Sequence, residues 1–230
     1  MSCFCVDVTQ LNSPSEENAL GPADLVQAME YLERVGLNTG NAGNVSCRAG
    51  GNRYLITPSG VAPSALTAES IVRMPQHGMG GAGNLKPSTE FPMHSAIYQA
   101  RPEVRAIVHT HSAYATALAC KRESIPAFHY MIAVAGGDSI RCAPYATFGT
   151  KELSEHAVAT LSGRTACLLA NHGVLALSSD PLAAAKLALE VEQLAKQYCI
   201  ALQCGEPEIL NKKQMQEVLE KFEHYGQRIE

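Results

Sequence analysis

The stretch that most limits what this chain can fold into is an apolar run over residues 104–108 that leads directly into His109-Thr-His111. Such a run reads as a strand. In an extended strand, side chains at i and i+2 leave the same face, about 7 Å apart at two rises of about 3.3–3.4 Å. Both imidazoles can then turn onto one ion at about 2.0–2.1 Å. Alone, the pair also fits two satisfied histidines at a strand end. A metal site needs further ligands, and Glu90 and His172 are the candidates elsewhere in the chain.

The chain has 230 residues, enough for one layered domain with a sizeable core. Its 46% apolar and 17% charged composition is that of an ordinary globular protein. The formal charge of −4 and the lack of a Lys/Arg cluster argue against nucleic acid as a partner. No apolar run reaches the roughly 18 residues of a membrane span. Residues 1–20 lack the basic start and continuous apolar core of a signal peptide. The 8 cysteines form no Cys-x-x-Cys pair. They are expected to be reduced, buried, small hydrophobes in a cytoplasmic protein, with Cys3 and Cys5 instead in a loose N-terminal tail.

An N-terminal extension is expected over 1–22 and a single catalytic domain over 23–230. A helix is expected from Asp24, with Leu25, Met29, Leu32 and Val35 at helical spacing and Gly36 as its stop. A polar turn over 40–46 leads into a strand, and Arg53–Thr57 forms another. The glycine-rich segment 76–84 reads as a surface loop. The next helix starts near Thr89, its expected N-cap, with Met93, Ile97 and Ala100 facing inward. After the histidine strand come a short helix, Ala113 to Cys120, and a possible strand from Ile125 to Ile132. A helix capped by Thr150 follows, then a strand from Thr165 to Ala170 that delivers His172. Asp180-Pro181 opens the longest helix, and Asn211 with Gln214 forms the capping box of the last. Strands mixed irregularly with helices predict an α/β or α+β layered domain.

Three histidines with an open fourth position would be a catalytic zinc arrangement. His172, in an Asn-His-Gly turn, equally fits a local hydrogen bond. Glu90, in the first turn of a helix, is accounted for structurally by the helix dipole; functionally it would shuttle a proton beside the metal. The turns around Asn44, Ser59-Gly60 and Ser88-Thr89 carry hydroxyls and backbone donors suited to phosphate, although no Walker-type loop is present.

Five segments occur in order: Asn41-Ala-Gly-Asn-Val-Ser46, Ile56-Thr-Pro-Ser-Gly60, Pro87-Ser-Thr-Glu90, His109-Thr-His111 and Asn171-His-Gly173. Together they resemble the class II aldolase/adducin family. Segments 125–132 and 143–150 resemble its branch acting on L-fuculose 1-phosphate. The resemblance implies a central, mainly antiparallel sheet flanked by helices, assembled as a homotetramer with sites between subunits. It implies one Zn2+ per subunit on His109, His111 and His172, with Glu90 as the acid/base carboxylate that also reaches the metal. By position, Asn44, Ser59, Gly60, Ser88 and Thr89 match the phosphate pocket. Tyr130 matches a proton donor supplied by a neighbouring subunit, and Phe148 and Tyr225 match aromatic residues at the aldehyde end.

The implied reaction is reversible cleavage of a ketose 1-phosphate to dihydroxyacetone phosphate and a small aldehyde. Zinc would stabilise the carbanionic fragment as a Lewis acid. L-fuculose 1-phosphate, a 5-deoxypentulose 1-phosphate and 5-methylthioribulose 1-phosphate all remain candidate substrates. A 4-epimerase or dehydratase on the same scaffold is an enzymatic rival, although the epimerase branch carries Asp where Glu90 stands. A non-catalytic adducin-like module would lack the ligand histidines.

Overall fold

The computed structural model describes residues 20–78, 80 and 85–222. Most of the expected 1–22 extension, Met79 and residues 81–84 of the glycine-rich loop, and Tyr225 lie outside the described residues. The chain opens with α1 (Pro22–Arg34), β1 (Asn44–Ala49), β2 (Arg53–Ile56) and β3 (Val72–Pro75). It continues through α2 (Phe91–Ala100), β4 (Ala106–Thr110), α3 (Ala113–Cys120), β5 (Ile125–Pro126), β6 (Ser139–Ile140) and β7 (Cys142–Ala143). It closes with α4 (Lys151–Thr160), β8 (Ala166–Leu169), β9 (Gly173–Ser178), α5 (Pro181–Cys204) and α6 (Lys212–Phe222).

Seven strands form one sheet in the order β3-β2-β1-β4-β9-β8-β7. All pairs are antiparallel except β7 with β8. The histidine strand β4 therefore lies at the centre, paired with β1 (Asn44 opposite His109) and with β9 (Thr110 opposite Val174). Strands β5 and β6 make a separate pair.

Central position explains why β4 is apolar at consecutive residues: helices cover both faces of the sheet. Ile107, Leu175 and Leu177 pack with Met93 and Ile97 of α2 and Leu153 and Ala157 of α4 on one face. Ala106, Val108 and Ala176 pack with Leu25 and Leu32 of α1 and Ala184 and Ala188 of α5 on the other. Each large aliphatic side chain buried this way contributes about 1.5–3 kcal/mol. A third cluster joins α3, α5 and α6 to β8 and the 3-10 turns at Tyr130–Ala135. By alternation His109 shares the α2 face with Ile107, which points it at the start of α2.

Several helix starts are as expected from their caps. Thr150 Oγ1 accepts from Leu153 N (3.2 Å), Asp180 Oδ1 from Ala183 N (2.8 Å), and Asn211 and Gln214 cap each other's backbone N–H (2.9 and 3.0 Å). Others differ. Helix α1 starts at Pro22, because Asp24 accepts from Gly21 N (2.7 Å) and so lies inside the first turn. The N-cap of α2 is Glu90, not Thr89, and the inner face of α2 runs through Met93, Ile97 and Tyr98 while Ala100 is exposed.

The segment Ile125–Ile132 is strand for only two residues and then turns into 3-10 structure, where His129 Nδ1 accepts from Met131 N. Strands β3 and β9 were not expected. Of the cysteines expected to be buried, Cys47 and Cys167 are, whereas Cys120 and Cys204 are exposed; all six described cysteines are free thiols.

Candidate metal centre

The structure brings Glu90, His109, His111 and His172 together, with one donor atom from each lying within 4.8 Å of the others. Each arrives differently. His109 is the penultimate residue of β4; His111 follows the strand by one residue. His172 lies in the turn from β8 to β9, where Asn171 takes a positive φ of 55°. Glu90 caps α2. The backbones must approach closely for this to happen. At Gly173 a Cβ would lie 2.3 Å from Thr110 O and 2.9 Å from the His111 ring; at Gly43 it would lie 2.7 Å from His109 O. Only glycine fits at either position.

Within the cluster, Glu90 Oε2 lies 3.0 Å from His109 Nε2, and Oε1 lies 3.1 Å from His172 Nε2. His109 and His111 approach Nε2 to Nε2 at 2.9 Å. His109 Nδ1 donates to Val174 O at 2.8 Å, which orients the ring and turns Nε2 toward the cluster. Asn44 Nδ2 donates to Glu90 Oε2 at 3.0 Å and orients the carboxylate.

The charges respond to this crowding. Burial would raise the Glu90 carboxyl, but the charge on His109 and the hydrogen bonds from His109 and His172 outweigh it and hold Glu90 well below the usual carboxylate range. Burial likewise disfavours charge on His109, yet the adjoining carboxylate wins and raises it. Partial burial and the charges on His109 and His172 push His111 down to about 4.

This donor set fits a divalent cation. In a tetrahedral site with bonds of about 2.0–2.1 Å the donors lie about 3.3 Å apart, and the observed separations bracket that value. Three neutral imidazoles with one carboxylate suit zinc. Two imidazole nitrogens facing each other at 2.9 Å call for a proton or a cation between them.

Glu90, His111 and His172 form one wall of a cavity of about 390 Å³, lined also by Asn44, Ser59, Gly60, Ser88, Thr89 and Phe148. Ser59 N donates to Lys86 O (2.9 Å) and Ser88 N to Thr57 O (3.1 Å), so the two hydroxyl-bearing turns lie side by side. No described Lys or Arg lines the cavity, so among the described residues neutral donors would hold an anion there. Phe148 is 62% exposed at the mouth. Tyr130, 51% exposed, does not line its own chain's cavity. Sequence reasoning assigned no role to Tyr145, Asn41 and Asn171, which also line it; the signal available was the position of each inside a segment already singled out.

The family model described as "Class II Aldolase and Adducin N-terminal domain" matches residues 23–199. A 5-methylthioribulose-1-phosphate/5-deoxyribulose-1-phosphate aldolase of Rhodospirillum rubrum is 52% identical over 88% of this chain and 90% of its own length. The L-fuculose phosphate aldolase of Escherichia coli is 46% identical over 94% of this chain and 99% of its own. A solved L-fuculose 1-phosphate aldolase superposes with a TM-score of 0.85 at 41% identity, covering 91% of this chain and 98% of its own. The chain belongs to the class II aldolase and adducin family, and its mainly antiparallel sheet flanked by helices is that family's fold.

Proposed function

We propose that this chain is a zinc-dependent class II aldolase that reversibly cleaves a ketose 1-phosphate to dihydroxyacetone phosphate and a small aldehyde. One observation carries the reading: the Glu90 carboxylate stands between three convergent imidazoles and two hydroxyl-bearing turns of one cavity. The relatives named above act on L-fuculose phosphate or on 5-methylthioribulose and 5-deoxyribulose 1-phosphates, which supports the substrate class.

His109, His111 and His172 hold the zinc, one ion per subunit. When bound, the metal supplies Lewis-acid stabilisation of the negative charge that develops on the three-carbon fragment. Ser59, Gly60, Ser88 and Thr89 bind the phosphate through hydroxyl and backbone donors, with Asn44 steadying Glu90 beside it. In the condensation direction Glu90 takes the proton from dihydroxyacetone phosphate. Tyr130, brought by a neighbouring subunit of a homotetramer, donates a proton to the aldehyde oxygen. Its half-exposed position away from its own cavity is consistent with that arrangement.

Phe148 and Tyr145 at the mouth suit a short apolar tail, the end of the substrate to which Tyr225 is also assigned. The catalytic unit starts near residue 23, preceded by an extension. The free thiols support a cytoplasmic setting, and among the described residues no helix is long and apolar enough to cross a membrane.

The test is a coupled assay for dihydroxyacetone phosphate release from L-fuculose 1-phosphate, 5-deoxyribulose 1-phosphate and 5-methylthioribulose 1-phosphate, comparing kcat/KM. Release from at least one, abolished by a chelator and restored by zinc, is the expected result. No release from any of them sinks the reading, and a 4-epimerised or dehydrated product would move the chain to another activity on the same scaffold.

A further inference from the structure

Glu192 is a carboxylate 7% exposed in the middle of α5, among Val191, Leu194 and Ala195. A charge in that setting is costly unless it is paired or hydrogen-bonded. Its partners are backbone: Tyr114 N donates to Oε1 and Ala115 N to Oε2, both at 2.9 Å. These are free N–H groups of the first turn of α3. The N-cap of α3, Ser112, makes no side-chain capping bond, and its buried hydroxyl has no partner among the described residues. Helix α3 is thus capped by α5, with the negative charge at the positive end of its dipole. Lys196, one turn further along α5, lies 5.6 Å from the Tyr114 ring centroid and ties the same two helices.

Only His111 and Ser112 separate β4 from α3. At one end Thr110 is fixed by its register with Val174; at the other, Glu192 fixes Tyr114 and Ala115. The His111 side chain has no such support. His109 is oriented by Val174 O, whereas among the described residues the hydrogen-bond contact of the His111 ring is Nε2 to His109.

We infer that Glu192 is a positioning residue for the metal centre, holding the backbone at the start of α3 so that His111 presents its Nε2 to the ion. The inference rests on the metal reading given under Proposed function. Loss of the second acceptor in Glu192→Gln sets an amide N–H against a backbone N–H, which pushes α3 away and slackens the two-residue link that carries His111.

The experiment measures zinc affinity by competition with a chromophoric chelator, and the visible spectrum of the cobalt(II)-loaded protein, on the full chain. Wild type is compared with Glu192→Gln, Glu192→Asp and Asn211→Ala, the last removing a cap of α6 remote from the cluster. Wild type binds one equivalent. Glu192→Gln is expected to lose zinc affinity by about 10–100-fold, the range for groups that orient a ligand, with a cobalt spectrum altered toward fewer nitrogen ligands. Glu192→Asp retains the charge and loses less, while Asn211→Ala lowers the melting temperature and leaves affinity and spectrum unchanged.

Wild-type affinity and spectrum in both Glu192 variants would overturn the inference, as would an equal affinity loss in Asn211→Ala. If Glu192→Gln does not fold, the outcome rests on Glu192→Asp, whose unchanged affinity and spectrum would overturn it alone. Absence of zinc binding by the wild type instead removes the metal reading and this inference with it.

Discussion

At the scale of single residues, Glu90 holds contacts to two imidazoles and one amide on a single carboxylate. Glu90→Gln keeps the shape and the three imidazoles but removes the proposed proton acceptor. Cleavage should fall by about 10²–10⁴-fold, the usual worth of a general base, with zinc content retained; turnover close to wild type, measured in the dihydroxyacetone phosphate assay, would take Glu90 out of the proton transfer. Behind it lies His94, fully buried, with Nδ1 2.7 Å from Ser46 Oγ, which in turn meets the Tyr98 hydroxyl at 2.8 Å. Burial, then the charge on His109, pushes His94 down to about 3.

In the unfolded chain an imidazole titrates near 6.5, so below that pH the unfolded state binds the extra proton. Stability attributable to His94 is therefore full above about pH 6.5 and declines toward pH 3, by at most roughly 1.4 kcal/mol per pH unit. Urea midpoints at about pH 7.5 and about pH 5 should drop less in His94→Gln than in wild type. Equal drops would show that His94 is not the titrating group.

At the scale of elements, the site depends on where β4, β9 and α2 end. The sequence made β4 legible because its apolar residues run straight into the histidines. Strand β9 was not legible: Gly-Val-Leu-Ala-Leu-Ser after the Asn-His-Gly turn is a short continuous apolar run with no alternation to tell strand from helix. The three-residue turn that joins them needs Asn171 at positive φ and Gly173 against Thr110 O. Gly173→Ala should cost about 1–3 kcal/mol from overpacking and weaken zinc binding, because relief of the clash moves β9 from β4. An unchanged melting temperature and zinc affinity would show that the turn tolerates a Cβ. The one-residue displacement of the α2 cap from Thr89 to Glu90 has a similar origin. Thr is the better N-cap type and Glu90 makes no side-chain capping bond, so the docking of α2 on the sheet, not local preference, sets the boundary.

At the scale of the whole molecule, zinc binding to a cluster drawn from three segments should stabilise the folded chain as a unit. A ligand at 100 times its dissociation constant adds about 2.7 kcal/mol. The melting temperature should fall on chelation and recover with zinc, and a melting curve indifferent to zinc would contradict a cluster that holds the fold. Assembly enters through Tyr130. If neighbouring subunits supply it, Glu90→Gln and Tyr130→Phe chains mixed in one homotetramer each restore what the other lacks at some interfaces. Co-expression in equal amounts should recover roughly a quarter of the sites, as random pairing across a cyclic assembly requires. Activity no higher than that of either variant alone would place Tyr130 outside the reaction.

Ligand types and their local settings were open to sequence reasoning because each is a short-range property. A histidine two residues after another at a strand end, a carboxylate opening a helix and an Asn-His-Gly turn each follow from local backbone preference. The convergence of positions 90, 109, 111 and 172 on one point was decided by the tertiary structure, through the register of β1, β4 and β9 and the docking of α2. So was the burial of Glu192 against the start of α3, since nothing within α5 itself says which unfilled N–H groups will face that carboxylate. Such pairings arise only when segments distant in the chain are packed together with their polar groups satisfied.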